Sequence, residues 1–145
     1  MIITSVKADG FRNLKSISFI PDEKYNIIAG KNAQGKTNLL EAMWIMTGCK
    51  SFRGSKEKDY ISLEENKMLC EICIRDSRRV QKISYELRKG ASSSKNLSLN
   101  GVKIKGTSGL FDVFQQVFHV RSFKSGCGIK LLLDICKNRA VFVFG

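Results

Sequence analysis

Alternating apolar and polar positions are the clearest pattern along this chain, and they predict strands. Residues 68–75 place Cys70, Ile72 and Ile74 on one side of the backbone and polar neighbours on the other. A period of two is typical of a half-buried strand. Residues 82–88, 2–7 and 16–20 are predicted as further strands. The pair Asn100-Gly101 predicts a hairpin near residues 97–104, since both central residues of a type I′ turn need positive φ.

A different pattern, strand then glycine-rich loop then helix, covers residues 25–48. Residues 25–29 form a short apolar run, which predicts a buried strand. Apolar residues then recur at spacings of three and four up to Gly48, which predicts a helix that Gly48 closes. We expect Trp44 and the methionines of this helix to lie in the core. A second, short helix is predicted from Leu110.

The loop between that strand and helix matches the G-x-x-x-x-G-K-[ST] pattern of a phosphate-binding loop. Its glycines allow a concave backbone, and the helix that follows adds the positive end of its dipole, so phosphate oxygens can be held there. Lys36, expected to be partly exposed, would reach the β- and γ-phosphates of a nucleotide, and the Thr37 hydroxyl would coordinate Mg²⁺. The predicted nucleotide-binding residues are Gly30, Lys31, Asn32, Ala33, Gln34, Gly35, Lys36 and Thr37.

Composition narrows the class of protein. A formal charge of +12, from 25 Lys and Arg against 13 Asp and Glu, points to polyanionic partners such as DNA. The positive residues are spread over 50–58, 75–89 and 95–105, so several could lie on one face of a sheet. Such binding would be non-specific in sequence and sensitive to salt. A scattered, solvated surface is the plainer alternative.

Length, hydropathy and cysteine usage add further expectations. The 145 residues suit one domain, and the chain has no apolar run long enough to span a membrane, so we expect a cytoplasmic protein. Five cysteines without a regular framework suit reduced thiols. Cys70 and Cys73 form a C-x-x-C pair inside a predicted strand, and with a single histidine in the chain a zinc site is disfavoured.

Several segments together resemble the RecF family of bacterial DNA replication and repair proteins. These segments are Phe11-Arg12-Asn13-Leu14, the loop followed by residues 38–42, Lys50-Ser51-Phe52-Arg53, and Asn100-Gly101. The resemblance runs from about Met1 to Val120. It implies an α/β fold, a P-loop NTPase of the ABC/SMC-head type with a mixed sheet and an antiparallel β subdomain. It also implies that Arg12 and Asn13 lie near the nucleotide, although a plain turn between two strands is the alternative for that pair.

The resemblance further implies cofactors and partners. The cofactors would be ATP and Mg²⁺. The partners would be single- and double-stranded DNA, bound without sequence preference, together with recombination-mediator proteins, and the full-length form would be an ATP-dependent homodimer. The process would be recombinational repair and the SOS response.

Two departures from the family pattern limit these implications. Ala33 stands where the family usually has glycine, which costs some loop freedom. Beyond Val120 the sequence departs, and the signature motif and Walker B carboxylates are not recognisable. We therefore divide the chain into residues 1–120, an incomplete RecF-like head, and residues 121–145, an atypical tail that is not expected to pack natively. Such a chain, resembling an N-terminal fragment, would bind nucleotide but hydrolyse it poorly.

Two other classes of protein remain open at the level of sequence. The first is another P-loop protein, such as a small kinase or GTPase, although no Asn-Lys-x-Asp follows and the antiparallel strands do not suit a plain βαβ series. The second is a basic DNA-binding module whose phosphate loop is vestigial.

Overall fold

The computed structural model describes residues 2–48, 50–77, 79–90, 94–106 and 110, and the backbone of 118–125, 128–135 and 138–143. These ranges contain one α-helix, one 3₁₀-helix and ten strands, besides the single helical residue Leu110. In chain order they are β1 Ile2–Asp9, β2 Ile17–Phe19, β3 Tyr25–Ile28, α1 Lys36–Ile45, the 3₁₀-helix Glu57–Tyr60, β4 Lys67–Arg75, β5 Val80–Arg88, β6 Ser94–Leu99, β7 Val102–Lys103, β8 Phe118–Ser125, β9 Gly128–Ile135 and β10 Asn138–Val143.

Six strands form an antiparallel sheet in the order β2-β1-β4-β5-β6-β7. The strands predicted from alternation are confirmed, with ends that shift by at most two residues. The predicted hairpin joins β6 to β7, and Asn100 and Gly101 both have positive φ, 54° and 81°. Of the second predicted helix, Leu110 is helical and fully buried, and residues 111–117 lie outside the described residues.

The hydrophobic core lies between one face of this sheet and α1. On β4, Met68, Cys70, Ile72 and Ile74 are buried, as a period of two requires when one face is covered. The apolar stripe predicted for α1 is confirmed, but the buried surface of the helix is wider than the predicted stripe. Trp44 is half-buried against the core, whereas Leu39, Leu40, Glu41, Ala42, Met43 and Ile45 are all buried. The helix is therefore covered almost all round.

A second sheet has the order β3-β10-β9-β8, with β3 parallel to β10 and the other pairs antiparallel. This combination gives the mixed α/β architecture that was predicted. The expectation that β3 is a buried strand is wrong in part. Tyr25 and Ile27 are 60% and 74% exposed, while Ile28 packs against the core. Burial alternates along the strand, with Asn26 and Ile28 half-buried and Tyr25 and Ile27 exposed.

The two described cysteines of the C-x-x-C pair lie on opposite faces of β4. Cys70 faces the core and Cys73 is half-buried on the other face, because residues three apart in a strand point to opposite sides. Burial raises the pKa of the Cys70 thiol to about 12. Among the described helices, none has the length and apolar character needed to cross a membrane.

Candidate functional site: a phosphate loop at the start of α1

The loop predicted to bind phosphate connects β3 to α1, and the helix begins at Lys36. Gly35 precedes the helix with φ 96°, in the left-handed region. The backbone conformation favours glycine, and a Cβ atom there would lie 2.8 Å from Leu14 Cδ2 and 2.9 Å from Asn13 Oδ1, so these side-chain ends would have to shift. The first N–H groups of an α-helix have no partner within the helix, and they carry partial positive charge. The loop therefore leads directly into a helix end whose electrostatics favour an anion.

Lys36 is 7% exposed, so the expectation of partial exposure is wrong. Its ammonium group turns back into the loop, where Nζ donates to the carbonyl oxygen of Gly30 and, at 2.6 Å, to that of Lys31. Burial of the aliphatic stem and hydrogen bonding of the head go together, because a buried ammonium needs acceptors. The charge is thereby held at the centre of the loop.

Asn13 and Asn38 brace the other side of the loop. Asn38 Nδ2 donates to Asn13 Oδ1 at 2.6 Å, and Asn13 Nδ2 donates to the carbonyl oxygen of Ala33 at 3.3 Å. Ala33 itself has φ 63°, in a region that costs a non-glycine residue about 1 kcal/mol. The loop therefore keeps a glycine-like conformation at a position occupied by alanine, at a small cost in free energy.

A small cavity of about 120 Å³ opens at the loop. Its lining consists of Ala33, Gly35, Lys36, Thr37, Asn38 and Arg53. The cavity is smaller than typical small-molecule sites, about 300 Å³ or more, so it can enclose phosphate groups but not a whole nucleotide. Thr37 is half-buried in this lining.

Two residues of the lining, Asn38 and Arg53, were not among the predicted binding residues, and Arg53 lies farther from the loop in sequence. Its Nη1 donates to Asn38 Oδ1 at 2.8 Å and lies 3.6 Å from Glu41 Oε2, and its side chain is 34% exposed. The segment Lys50-Ser51-Phe52-Arg53 was part of the RecF resemblance, but its position in sequence gave no sign that it folds back beside the loop. The described residues thus place a second positive charge at the cavity.

Arg12 is held away from the loop cavity by Glu41. Its Nε lies 2.6 Å from Glu41 Oε2 and its Nη2 lies 2.9 Å from Oε1, a bidentate pair around a carboxylate that is 0% exposed. Nη2 also donates to Ser55 Oγ at 2.7 Å. Arg12 has φ 52°, and its N–H donates to the carbonyl oxygen of Tyr60. Contact of Arg12 with a nucleotide stays a prediction, because in this geometry its guanidinium group is paired with the Glu41 carboxylate.

Ser51 completes the surroundings of the buried carboxylate. Its Oγ donates to Glu41 Oε1 at 2.5 Å, and its backbone N–H donates to the Tyr60 hydroxyl at 3.3 Å. Burial raises the pKa of Tyr60. The carboxylate of Glu41, one turn along α1 from Thr37, therefore ties the helix to the segment that carries Arg53.

A family model of the AAA ATPase domain matches residues 1–135. The chain belongs to the AAA ATPase domain family. The chain is also similar to RecF sequences, and it matches their N-terminal part. DNA replication and repair protein RecF from Agathobacter rectalis is 36% identical over 118 residues, which are 81% of this chain and 32% of that protein. RecF from Desulforamulus reducens is 42% identical over 104 residues, which are 71% of this chain and 27% of that protein.

The RecF relative from Syntrophotalea carbinolica aligns along nearly the whole chain. It is 30% identical over 151 residues, which are 99% of this chain and 40% of that protein. The chain therefore spans 27% to 40% of the length of these three RecF relatives. The division at residue 120 stays a prediction.

Solved structures agree with this family. A structure of the recombination mediator protein RecF-ATPrS in the RecFOR pathway has a TM-score of 0.69 and 33% identity, and the match covers 75% of this chain and 29% of that one. The SMC head domain from Thermotoga maritima has a TM-score of 0.64 at 18% identity, covering 79% and 42%, which shows the fold alone. These findings confirm the predicted RecF resemblance and the ABC/SMC-head type of P-loop fold.

Proposed function

We propose that this chain binds ATP at the phosphate loop and forms the nucleotide-binding part of a RecF-like DNA replication and repair protein. One observation carries the proposal: the ammonium group of Lys36 is held inside a loop that leads into the N-terminus of α1. A positive charge beside the N-terminal N–H groups of a helix favours an anion with several oxygens. The RecF structures named with ATP or an ATP analogue support ATP as that anion.

Different residues around the loop would make the different contacts that a bound nucleotide needs. Lys36 and Arg53 would neutralise phosphate oxygens, and the first N–H groups of α1 would donate to them. Thr37 would supply one oxygen to Mg²⁺, with phosphate oxygens and water as the other ligands. Asn13 and Asn38 would hold the loop in shape rather than touch the phosphates, because their side chains are already paired with each other.

DNA is the proposed partner of the whole protein. The net charge of +12 supports it, and the relatives are named for DNA replication and repair. Sequence-independent binding of single- and double-stranded DNA would follow from contacts to phosphates. The same proposal includes work with other recombination mediators, a role in the SOS response and ATP-dependent pairing of two heads. These roles concern a protein about three times as long as this chain.

Nucleotide titration tests the proposal directly. We expect Mg-ATP to bind and GTP to bind much more weakly, since the chain lacks the Asn-Lys-x-Asp sequence that reads guanine. The single tryptophan, Trp44, lies on α1 and offers a fluorescence signal from the same helix as Lys36. Equal affinity for GTP, or binding of neither nucleotide, would contradict the proposed ATP site.

Hydrolysis of ATP by this chain is expected to stay near background, with or without DNA. Phosphoryl transfer needs groups that hold the metal and orient the attacking water, in addition to a loop that binds phosphates. Release of inorganic phosphate at saturating Mg-ATP is the measurement. Sustained turnover that disappears in Lys36→Ala would mean that this chain supplies catalytic groups other than those proposed.

Binding of duplex DNA is expected to be weak, to show little sequence preference and to fall steeply as salt rises. The reason is that protein cations displace counterions from the phosphates, and this release supplies most of the driving force. ATP should barely strengthen binding by this chain and should strengthen binding by a family-length protein, in which two heads would engage one duplex. Anisotropy of a labelled duplex at two salt concentrations, with and without ATP, measures both effects. A salt-insensitive affinity would contradict the electrostatic mechanism.

A further inference from the structure

A second cavity lies near the C-terminal end of α1, away from the phosphate loop. Its volume is about 590 Å³, and Ile45 and Gly48 line it where the helix ends. Lys50, Lys56 and Lys95 also line it, so it is called the lysine cavity below. It shares no lining residue with the loop cavity. A ten-residue helix is about 15 Å long, which makes the two cavities separate sites.

The positive charge of the lysine cavity exceeds the negative charge of its own lining residues. Its lining includes one carboxylate, Glu57, which accepts from Lys95 Nζ and from the Tyr85 hydroxyl. Lys95 Nζ also lies 5.3 Å from the centroid of the Tyr85 ring. Lys50 and Lys56 form no ion pair with any residue that the structure describes. The cavity therefore presents positive charge that an external anion can neutralise.

The opposite face of the six-stranded sheet differs in this respect. Lys82 Nζ lies 2.6 Å from Glu71 Oε1, and Arg88 Nε lies 2.6 Å from Glu86 Oε1. In each pair the basic side chain is exposed and the carboxylate is partly buried, and the pairing cancels the local field that an anionic partner would meet. The unpaired lysines of the cavity are thus better placed to attract a polyanion than the paired ones of the sheet face.

The lysine cavity also contains uncharged hydrogen-bond donors, the hydroxyl groups of Tyr60 and Ser55. Burial raises the pKa of Tyr60, so its hydroxyl stays protonated at neutral pH. Ser55 Oγ accepts a hydrogen bond from Arg12 Nη2 and keeps its own proton to donate. Both residues line the cavity. Ammonium groups together with hydroxyl donors suit an oxyanion with several acceptor oxygens, as in a phosphate group.

We infer that the lysine cavity binds phosphate groups of a nucleic-acid backbone, with Lys50 and Lys56 as the contacting residues. The inference rests on the DNA binding proposed above, and it assigns that binding to the lysine cavity. Lys50 and Lys56 are exposed, so a strand that lies along the surface can reach them from outside. The cavity is also larger than one phosphate ion requires, which fits a stretch of backbone with its sugar.

The test compares two double variants that remove the same charge. Lys50→Gln/Lys56→Gln changes the cavity, and Lys7→Gln/Lys67→Gln changes two exposed lysines on the opposite face of the sheet, next to buried Val6 and Met68. Binding of a labelled oligonucleotide is measured by anisotropy over a range of salt concentrations, and Mg-ATP binding is measured in parallel. We expect the cavity variant to bind DNA about tenfold more weakly, with a log–log salt slope reduced by about 2. The control variant should change affinity less than about twofold.

The outcomes separate this inference from the proposals on which it rests. If both double variants weaken DNA binding equally, or the sheet-face variant weakens it more, the lysine cavity is not the site. If the parent chain binds no oligonucleotide, the DNA-binding proposal fails and the inference fails with it. Mg-ATP affinity should be the same in the parent and both variants, since none of the four lysines lines the loop cavity. Loss of ATP binding in the cavity variant alone would also overturn the assignment.

Discussion

Replacing Lys36 by methionine is expected to lower the affinity for Mg-ATP by at least about 100-fold, with little change in the unfolding transition. The methionine keeps an apolar stem of similar length but removes the ammonium group that the loop holds beside the carbonyl oxygens of Gly30 and Lys31. A hydrogen bond to a charged group contributes about 1.5–3 kcal/mol, and every 1.4 kcal/mol or so is a tenfold change in affinity. Lys36→Ala should lose binding as well.

Lys103→Met is the matched control for Lys36. It removes one exposed positive charge on β7, outside the lining of the loop cavity. Its affinity for Mg-ATP should equal that of the parent chain in the same titration. If Lys36→Met bound Mg-ATP as tightly as the control, the loop would not be the nucleotide site. Urea denaturation followed through Trp44 shows whether each variant is folded under the conditions of the titration.

Replacing Arg12 by alanine is expected to lower the free energy of unfolding by about 3–5 kcal/mol, because it leaves a buried carboxylate without its partner. Glu41 is 0% exposed, and the bidentate pair with Arg12 is its closest contact with a positive charge. The remaining arginine, Arg53, has its Nη1 atom 3.6 Å away and also donates to Asn38. Such a loss is a large fraction of the stability of a typical domain, which is about 5–15 kcal/mol.

Lys15→Ala gives the comparison for Arg12→Ala. Lys15 Nζ lies 2.5 Å from Glu64 Oε2, but both side chains are about two-thirds exposed, 67% and 69%. An ion pair in water contributes little, so this variant should unfold at nearly the same urea concentration as the parent. If Arg12→Ala and Lys15→Ala shifted the midpoint equally, Glu41 would not depend on Arg12 for its burial. Arg12→Ala/Glu41→Met should recover part of the lost stability, since the charge is then gone.

The sequence by itself determined the strands, the hairpin and the phosphate loop, because each of these depends on residues that are close together in the chain. Alternation at β4 and β5 predicted strands because a sheet with one covered face needs a period of two. Asn100-Gly101 predicted its hairpin because two consecutive positive φ angles restrict the residue types. The loop at residues 30–37 was recognisable for the same reason, since the left-handed backbone at position 35 favours glycine. The family followed from these short segments in order.

Tertiary structure decided the features that depend on residues far apart in sequence. Arg12 was expected near the nucleotide, but it pairs with Glu41, 29 residues later, and no local pattern shows that α1 turns a glutamate toward it. Arg53 reaches the loop cavity because the chain after α1 folds back past Ser51. Lys36 is buried because loop carbonyls supply its acceptors. In each case a charge takes its position from the partner that compensates its desolvation, and the fold alone brings that partner within reach.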